Sequence, residues 1–320
     1  MDSNHLVDPE LRETLGLFPT FSFTAETLAE RRAAPLPAAY GEDDGSRPIA
    51  VEDHHIDGPD GDRLRIRVYR PSGGEAVKPG YLQIHGGGYV LGSVEVSDLR
   101  NRTLALETDC VVAAVDYRLA PETPHPGPVE DCYAGLKWLH AEAEKLGVDS
   151  SRIAIGGESA GGGLAAALGL LARDRGGPAV CFQHLIYPMI DDRTASISDP
   201  HPFAGQYVWT AESNAFGWRS LLNAEPGSDG ISPYAAASRA DDLSGLPPTF
   251  IAVGALDLFV EEDIEYARRL MRAGVPVELH VYPGAYHGFI HMIGTEISQR
   301  FNRDSLASVR KAFMKKEVTS

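Results

Sequence analysis

Residues 157–161 read Gly157-Glu158-Ser159-Ala160-Gly161, set between a β-branched run, Ser151 to Gly156, and an Ala/Leu-rich stretch from Gly162 to Arg175. That order requires a strand, a tight turn and a helix. Glycines two residues either side of the serine carry no Cβ to clash, so the turn can be sharp enough to lift the serine hydroxyl clear of the backbone. A serine so placed can act as a nucleophile. Two phosphate-binding readings of this glycine-rich segment fail on its residues. A Walker A loop needs Lys followed by Ser or Thr after its last glycine, where this chain has Gly162 and Gly163. The match Gly161-x-Gly163-x-x-Ala166 to a dinucleotide fingerprint falls inside the expected helix, where close packing of helix on strand explains it.

A second constellation, His85-Gly86-Gly87-Gly88-Tyr89-Val90, follows the apolar strand Gly80 to Ile84. Three consecutive glycines leave backbone amides unshielded. Acyl transfer through a tetrahedral oxyanion needs donors aimed at the developing charge, each contributing about 2.7–4 kcal/mol. Amides of this loop, with the amide after the nucleophile, can supply them. A metal role for His85 is disfavoured, because no second ligand lies at ligand spacing.

A serine on such an elbow is followed in chain order by an acid and then a base. Thr249 to Gly254 is a buried-strand pattern ending at Ala255-Leu256-Asp257, which puts a carboxylate just past a strand's C-terminal end. The next strand pattern, Pro276 to Tyr282, leads into Pro283-Gly284-Ala285-Tyr286-His287-Gly288-Phe289. Asp257 can orient the imidazole of His287, and His287 can take the proton of Ser159. Of the eleven histidines, His184 and His280 fall within strand patterns, and His54, His55, His125, His140 and His201 lack a post-strand loop at the right point. His291 lies further into the following segment. Asp191 and Asp192, after the strand Val180 to Tyr187, are the rival acids, expected instead to hold a loop.

The set His85-Gly-Gly-Gly, Asp116-Tyr117-Arg118-Leu119-Ala120-Pro121-Glu122, Gly157-Glu158-Ser159-Ala160-Gly161-Gly162, Leu243 to Pro248 and His287-Gly288-Phe289 resembles the bacterial hormone-sensitive-lipase-like esterases, from about residue 50 onward. The resemblance implies an α/β-hydrolase fold with a helical cap and no cofactor, acting on small carboxylic esters of short to medium acyl chain. By family pattern the oxyanion donors are the amides of Gly87, Gly88 and Ala160, with His85, Gly86 and Glu158 as motif support. The family most often has Asp or Thr where this chain has Glu158.

At 320 residues the chain can hold one α/β core with an appended cap. Its formal charge of -16, from 29 basic and 45 acidic residues, argues against nucleic acid and anionic membranes as partners. Cys110, Cys132 and Cys181 are odd in number and lie in apolar contexts, so buried thiols in a reducing compartment are expected, none of them on a post-strand elbow. The opening residues lack a basic and apolar leader pattern, and no apolar run approaches about 18 residues. A cytoplasmic protein without metal or cofactor is the expectation.

Residues 1–45, with a polar helical stretch from Thr24 to Arg32, then Pro35-Leu36-Pro37 and an acidic loop Gly41 to Gly45, precede the first strand and are read as an N-terminal cap segment. Residues 188–230 show no strand pattern but a helical one, Gln206 to Asn223, in which Tyr207, Trp209, Phe216 and Trp218 recur with Val208 and Leu221. This is read as a cap insertion lining a pocket, leaving 46–187 and 231–320 as the catalytic domain. From residue 79 strands alternate with helices, giving a mostly parallel sheet, while Ile49–Asp57 and Arg63–Arg70 form a leading hairpin around Asp60-Gly61. All the chemical motifs then fall at the C-terminal strand ends, where such sheets bind ligands. The last strand is expected near a sheet edge, which together with the resemblance suggests a homodimer. Three function classes remain open: a carboxylesterase, a related acyl hydrolase such as an amidase, lactonase or arylacetamide-deacetylase-like enzyme, and a non-catalytic ligand receptor on the same fold. Joint presence of Ser159, Asp257 and His287 weighs against the receptor.

Overall fold

The structure is a computed structural model that describes residues 2–17, 23–34, 47–74 and 76–314. The Pro35-Leu36-Pro37 segment and the acidic loop Gly41 to Gly45 lie outside the described residues.

Eight strands form one sheet: β1 (Ile49–Asp57), β2 (Arg63–Pro71), β3 (Lys78–Ile84), β4 (Val111–Val115), β5 (Val148–Glu158), β6 (Phe182–Ile186), β7 (Thr249–Gly254) and β8 (Val277–Tyr282). Their spatial order is β1-β2-β4-β3-β5-β6-β7-β8. The pairs β1/β2 and β2/β4 are antiparallel and the remaining pairs are parallel. The leading hairpin turns through Gly61 at φ +82°, as the Asp60-Gly61 signal demands.

Described helices are α1 (Pro9–Thr14), α2 (Ala25–Ala33), α3 (Asp98–Thr108), α4 (Gly127–Ala141), α5 (Ala143–Leu146), α6 (Ala160–Asp174), α7 (Ala211–Leu222), α8 (Val260–Arg272) and α9 (Glu296–Phe313). α4, α6 and α8 share a core with Leu82, Ile84, Val111, Ala113, Val115, Ile153 and Ile155, whereas α3 and α9 share one with Tyr81, Val112, Ala114, Ala154 and Phe250. Alternate residues of one strand thus feed opposite cores. β3, β4, β6 and β7 are buried along their whole length. Strands covered by helices on both faces read as near-continuous apolar runs, as β4 and β7 do, while β3 and β6 carry Gln83, Gln183 and His184 within theirs.

α6 is buried on nearly every side, and its Ala, Gly and Leu composition follows from that position. A Cβ on Gly161 would fall 2.1 Å from the carbonyl oxygen of Ile84, and one on Gly163 would fall 2.0 Å from that of Met189. The glycines of the apparent dinucleotide fingerprint therefore serve close backbone approach, Gly161 to the end of β3 and Gly163 to the loop after β6.

Two details depart from the sequence reading. The helical pattern read from Gln206 to Asn223 yields a helix only from Ala211, because Val208 adopts a left-handed φ of 61° and Thr210 caps α7 by accepting from the Ser213 amide. Cys181 is half-buried, whereas Cys110 and Cys132 are buried as expected. Cys181 stands one residue before β6, at the rim of the sheet.

Candidate active site

β5 ends at Glu158 and α6 begins at Ala160, so Ser159 alone makes the turn, at φ 55° and ψ -122°. A non-glycine residue in that region is strained, and such strain gathers at functional sites. The strain is held from both sides: the Ser159 amide donates to the Ile186 carbonyl at 2.9 Å, and its carbonyl accepts from the amides of Gly163 and Met189. A Cβ on Gly157 would lie 2.2 Å from the Ile84 carbonyl oxygen, so the glycine two residues before the serine is required by backbone contact with β3.

The structure brings the three separated residues into one hydrogen-bonded line. Ser159 Oγ and His287 Nε2 are 3.0 Å apart, and His287 Nδ1 lies 2.8 Å from Asp257 Oδ2. A carboxylate only accepts, so Nδ1–H donates to Asp257 and Nε2 is left to accept from the serine. Asp257 Oδ1 is occupied by the Phe259 amide at 3.0 Å, which fixes the carboxylate plane. All three residues are at most 6% exposed. Tyr187 and Phe259 pack on the His287 ring with centroids at 4.6 and 5.3 Å, a clamp that no local sequence pattern announces.

The rival residues are held elsewhere. Asp192 is fully buried, accepting from Arg239 Nε and Nη2, each at 2.8 Å, and from the Gly227 amide. Asp191 accepts from Arg193. His184 sits between the hydroxyls of Tyr81 and Ser305, and burial pushes its pKa down to about 3. His291 is likewise pushed down to about 3, first by burial and then by Arg100 and His287.

The glycine loop folds about the Gly87 carbonyl, which accepts from the amides of Val90 and Leu91. Gly87 and Gly88 adopt φ of +124° and +60°. A Cβ on Gly87 would meet the Leu91 carbonyl oxygen at 2.2 Å, so no other residue fits there. His85 supports this loop from within: it is fully buried, its Nδ1–H donates to the Gly86 carbonyl at 2.8 Å, and its ring stacks on Tyr117 at 4.2 Å. Burial pushes its pKa down, which keeps the imidazole neutral. Across the loop, Ala160 opens α6. First-turn amides have no intrahelical acceptor and carry the positive end of the helix dipole, so this end of the site favours negative charge.

Glu158 is buried beneath the elbow, with Oε1 2.7 Å from Arg100 Nε and the Ser97 hydroxyl donating towards Oε2. Burial pushes its carboxyl up, opposed chiefly by Arg100. The pair ties the elbow to α3, far away in the chain, and nothing local to Arg100 in the sequence signals it.

A further buried acid, Asp263 on α8, has no hydrogen-bond partner on either oxygen among the described residues. Its pKa is pushed well above the usual carboxylate range by burial, then by Glu262 and Asp257. The folded state therefore binds this proton more tightly than the unfolded chain. Its contribution to stability is complete below the unfolded pKa near 3.8 and is lost as pH rises towards the raised folded value. Asp263→Asn, neutral throughout, should gain in Tm on wild type as pH rises from 5 to 8. Thermal melts at both pH values check this; a difference independent of pH would show that Asp263 does not titrate as described.

Among the described residues, no three His, Cys, Asp or Glu side chains are grouped to hold a metal ion, and no helix is long and apolar enough to cross a membrane.

A protein-family model described as an alpha/beta hydrolase fold matches residues 81–291. The chain is 34% identical over 303 residues to the esterase LipI of Mycobacterium tuberculosis, covering 92% of this chain and 91% of that protein. It is 35% identical over 296 residues to the carboxylesterase NlhH of the same species, covering 89% of each. Among solved structures, a bacterial heroin esterase superposes with a TM-score of 0.91 at 40% identity, covering 97% of this chain and 99% of that one. A hyperthermophilic esterase from the archaeon Pyrobaculum calidifontis superposes at 0.80 with 35% identity, covering 95% and 98%. Fold, motifs and relatives agree along nearly the whole length, and the chain belongs to the hormone-sensitive-lipase-like esterase family of the α/β-hydrolases.

Proposed function

We propose that the protein is a serine carboxylesterase that hydrolyses short- to medium-chain carboxylic esters through an acyl-enzyme. The observation that carries this reading is the continuous line from Asp257 through His287 to Ser159 at the start of α6. Ser159 Oγ attacks the ester carbonyl while His287 Nε2 takes its proton, and Asp257 holds the imidazolium in the productive tautomer. The amides of Gly87, Gly88 and Ala160 receive the oxyanion. His287 then returns the proton to the leaving alcohol. Water, deprotonated by the same imidazole, releases the acid and restores Ser159. The esterase and carboxylesterase names of the relatives favour an ester over an amide or lactone. A panel of p-nitrophenyl esters of graded acyl length, with matched anilides and lactones, tests it. Ester turnover falling off beyond medium chains is expected; faster anilide or lactone cleavage would overturn the assignment.

Residues 1–45 and 188–230 are proposed to form the cap over this site. Three contacts support the reading: Ser3 donates to Gln206, Phe23 packs on Trp209, and Arg32 donates to the carbonyls of Val90 and Ala120 beside the glycine loop. A cytoplasmic location is proposed on the two buried thiols, Cys110 and Cys132. β8 ends the sheet with Val281 exposed, and an unpaired edge favours a two-fold partner. The expected result in light scattering at micromolar concentration is therefore twice the 34.5 kDa chain mass; a monomer mass would dispose of the dimer.

A further inference from the structure

We propose that Trp209 sets selectivity for the alcohol half of the substrate, and that the preferred leaving group is a flat aromatic ring, as in a phenolic ester. The inference rests on the esterase reading above. To receive its proton, the leaving oxygen must come within about 2.6–3.2 Å of His287 Nε2, so whatever it carries lies beside the His287 ring. Tyr187 and Phe259 already pack on that ring and are buried, with Phe259 edge-on at 89°. A third aromatic neighbour among the described residues is Trp209, its ring 6.3 Å from His287.

The indole also reaches the glycine loop. A Cβ on Gly88 would fall 2.2 Å from indole Cη2, so the ring lies directly on the Gly88 backbone. One side chain thus spans from the loop that would receive the oxyanion to the base that would protonate the leaving group. It is also fixed in place. Trp209 Nε1–H donates to Asn214 Oδ1 on α7 at 3.2 Å, Phe23 packs against the indole at 5.6 Å, and the residue is 6% exposed. The residue before it, Val208, holds a left-handed φ of 61°, costly for a β-branched side chain and the kind of strain found at functional sites.

A rigid indole close to the leaving oxygen offers an aromatic ring an offset or edge-to-face partner at about 4.5–7 Å. A branched alkyl group gains no such pairing. In the reaction, the bond from Ser159 Oγ to the acyl carbon forms, the bond from acyl carbon to aryl oxygen breaks, and the phenol departs with the proton held by His287. Water then cleaves the acyl-serine, so atoms and protons balance without another reactant.

The test compares kcat/KM for phenyl acetate with that for hexafluoroisopropyl acetate, a non-aromatic ester whose alcohol is of similar acidity, in wild type, Trp209→Leu and Trp209→Phe. The aryl-to-alkyl ratio should fall about fivefold in Trp209→Leu, within the range of an aromatic pair, and be largely kept in Trp209→Phe. An unchanged ratio, or equal losses on both esters, would overturn the proposal, since a merely structural tryptophan scales both alike. Should Trp209→Leu fail to fold, inhibition of the wild-type enzyme decides: phenol should inhibit alkyl acetate hydrolysis about fivefold more strongly than cyclohexanol, and equal inhibition would overturn the proposal. Wild type that turned over neither ester would remove the esterase reading and this inference together. Ser159-dependent turnover with an unchanged ratio would remove this inference alone.

Discussion

Ser159→Ala should lower kcat on a short p-nitrophenyl ester by about 10⁶, leaving only what the oxyanion donors and substrate positioning supply. The loss is expected to be this large because Ser159 and His287 act as a unit: without Oγ, the imidazole 3.0 Å away has no proton to take. The fold should survive, since the serine side chain makes no contact on which the elbow depends. The turn is held by backbone bonds to Ile186, Gly163 and Met189. Kinetics of the purified variant alongside its melting curve check both halves. Retention of more than a few per cent of activity would mean that another group is the nucleophile.

Asp257→Asn should lower kcat by about 10⁴, because an amide offers His287 Nδ1 a donor as readily as an acceptor and so loses the tautomer that leaves Nε2 free to accept. Asp192→Ala should behave in the opposite way. It removes the partner of Arg239, whose side chain is 16% exposed, and breaking a buried pair of this kind costs about 3–5 kcal/mol of stability. Turnover by the folded Asp192→Ala enzyme should remain near wild type, with a clearly lowered Tm. If instead Asp192→Ala abolished turnover and Asp257→Asn spared it, the acid would belong to the loop after β6.

Much of the fold is legible in the sequence because its signals are local. The buried runs of β3, β4 and β7, the Asp60-Gly61 turn and the strand–serine–helix elbow each fix a short stretch of backbone without help from the rest of the chain. The placement of Asp257 and His287 past successive strands follows from strand order, and the parallel pairing of β7 with β8 is what brings those two loops side by side. Where local pattern and tertiary packing disagree, the sequence misleads. The aromatic periodicity from Gln206 suggests one long helix, yet Val208 and Trp209 are bent against the His287 and Gly88 loops, so the helix waits until Thr210 can cap it. The Arg100–Glu158 pair, the Tyr187 and Phe259 clamp on His287, and the unpartnered carboxyl of Asp263 have no sequence signal, because each exists only through side chains that meet across the packed layers.

The most direct test of the central claim is to trap the acyl-enzyme. Wild-type protein mixed with excess p-nitrophenyl acetate and quenched in acid within the first turnovers should show by mass spectrometry one added acetyl group per chain, on the peptide that contains Ser159. The Ser159→Ala protein should show none. Sustained ester turnover with no adduct, or with the acetyl group on a different residue, would contradict the account.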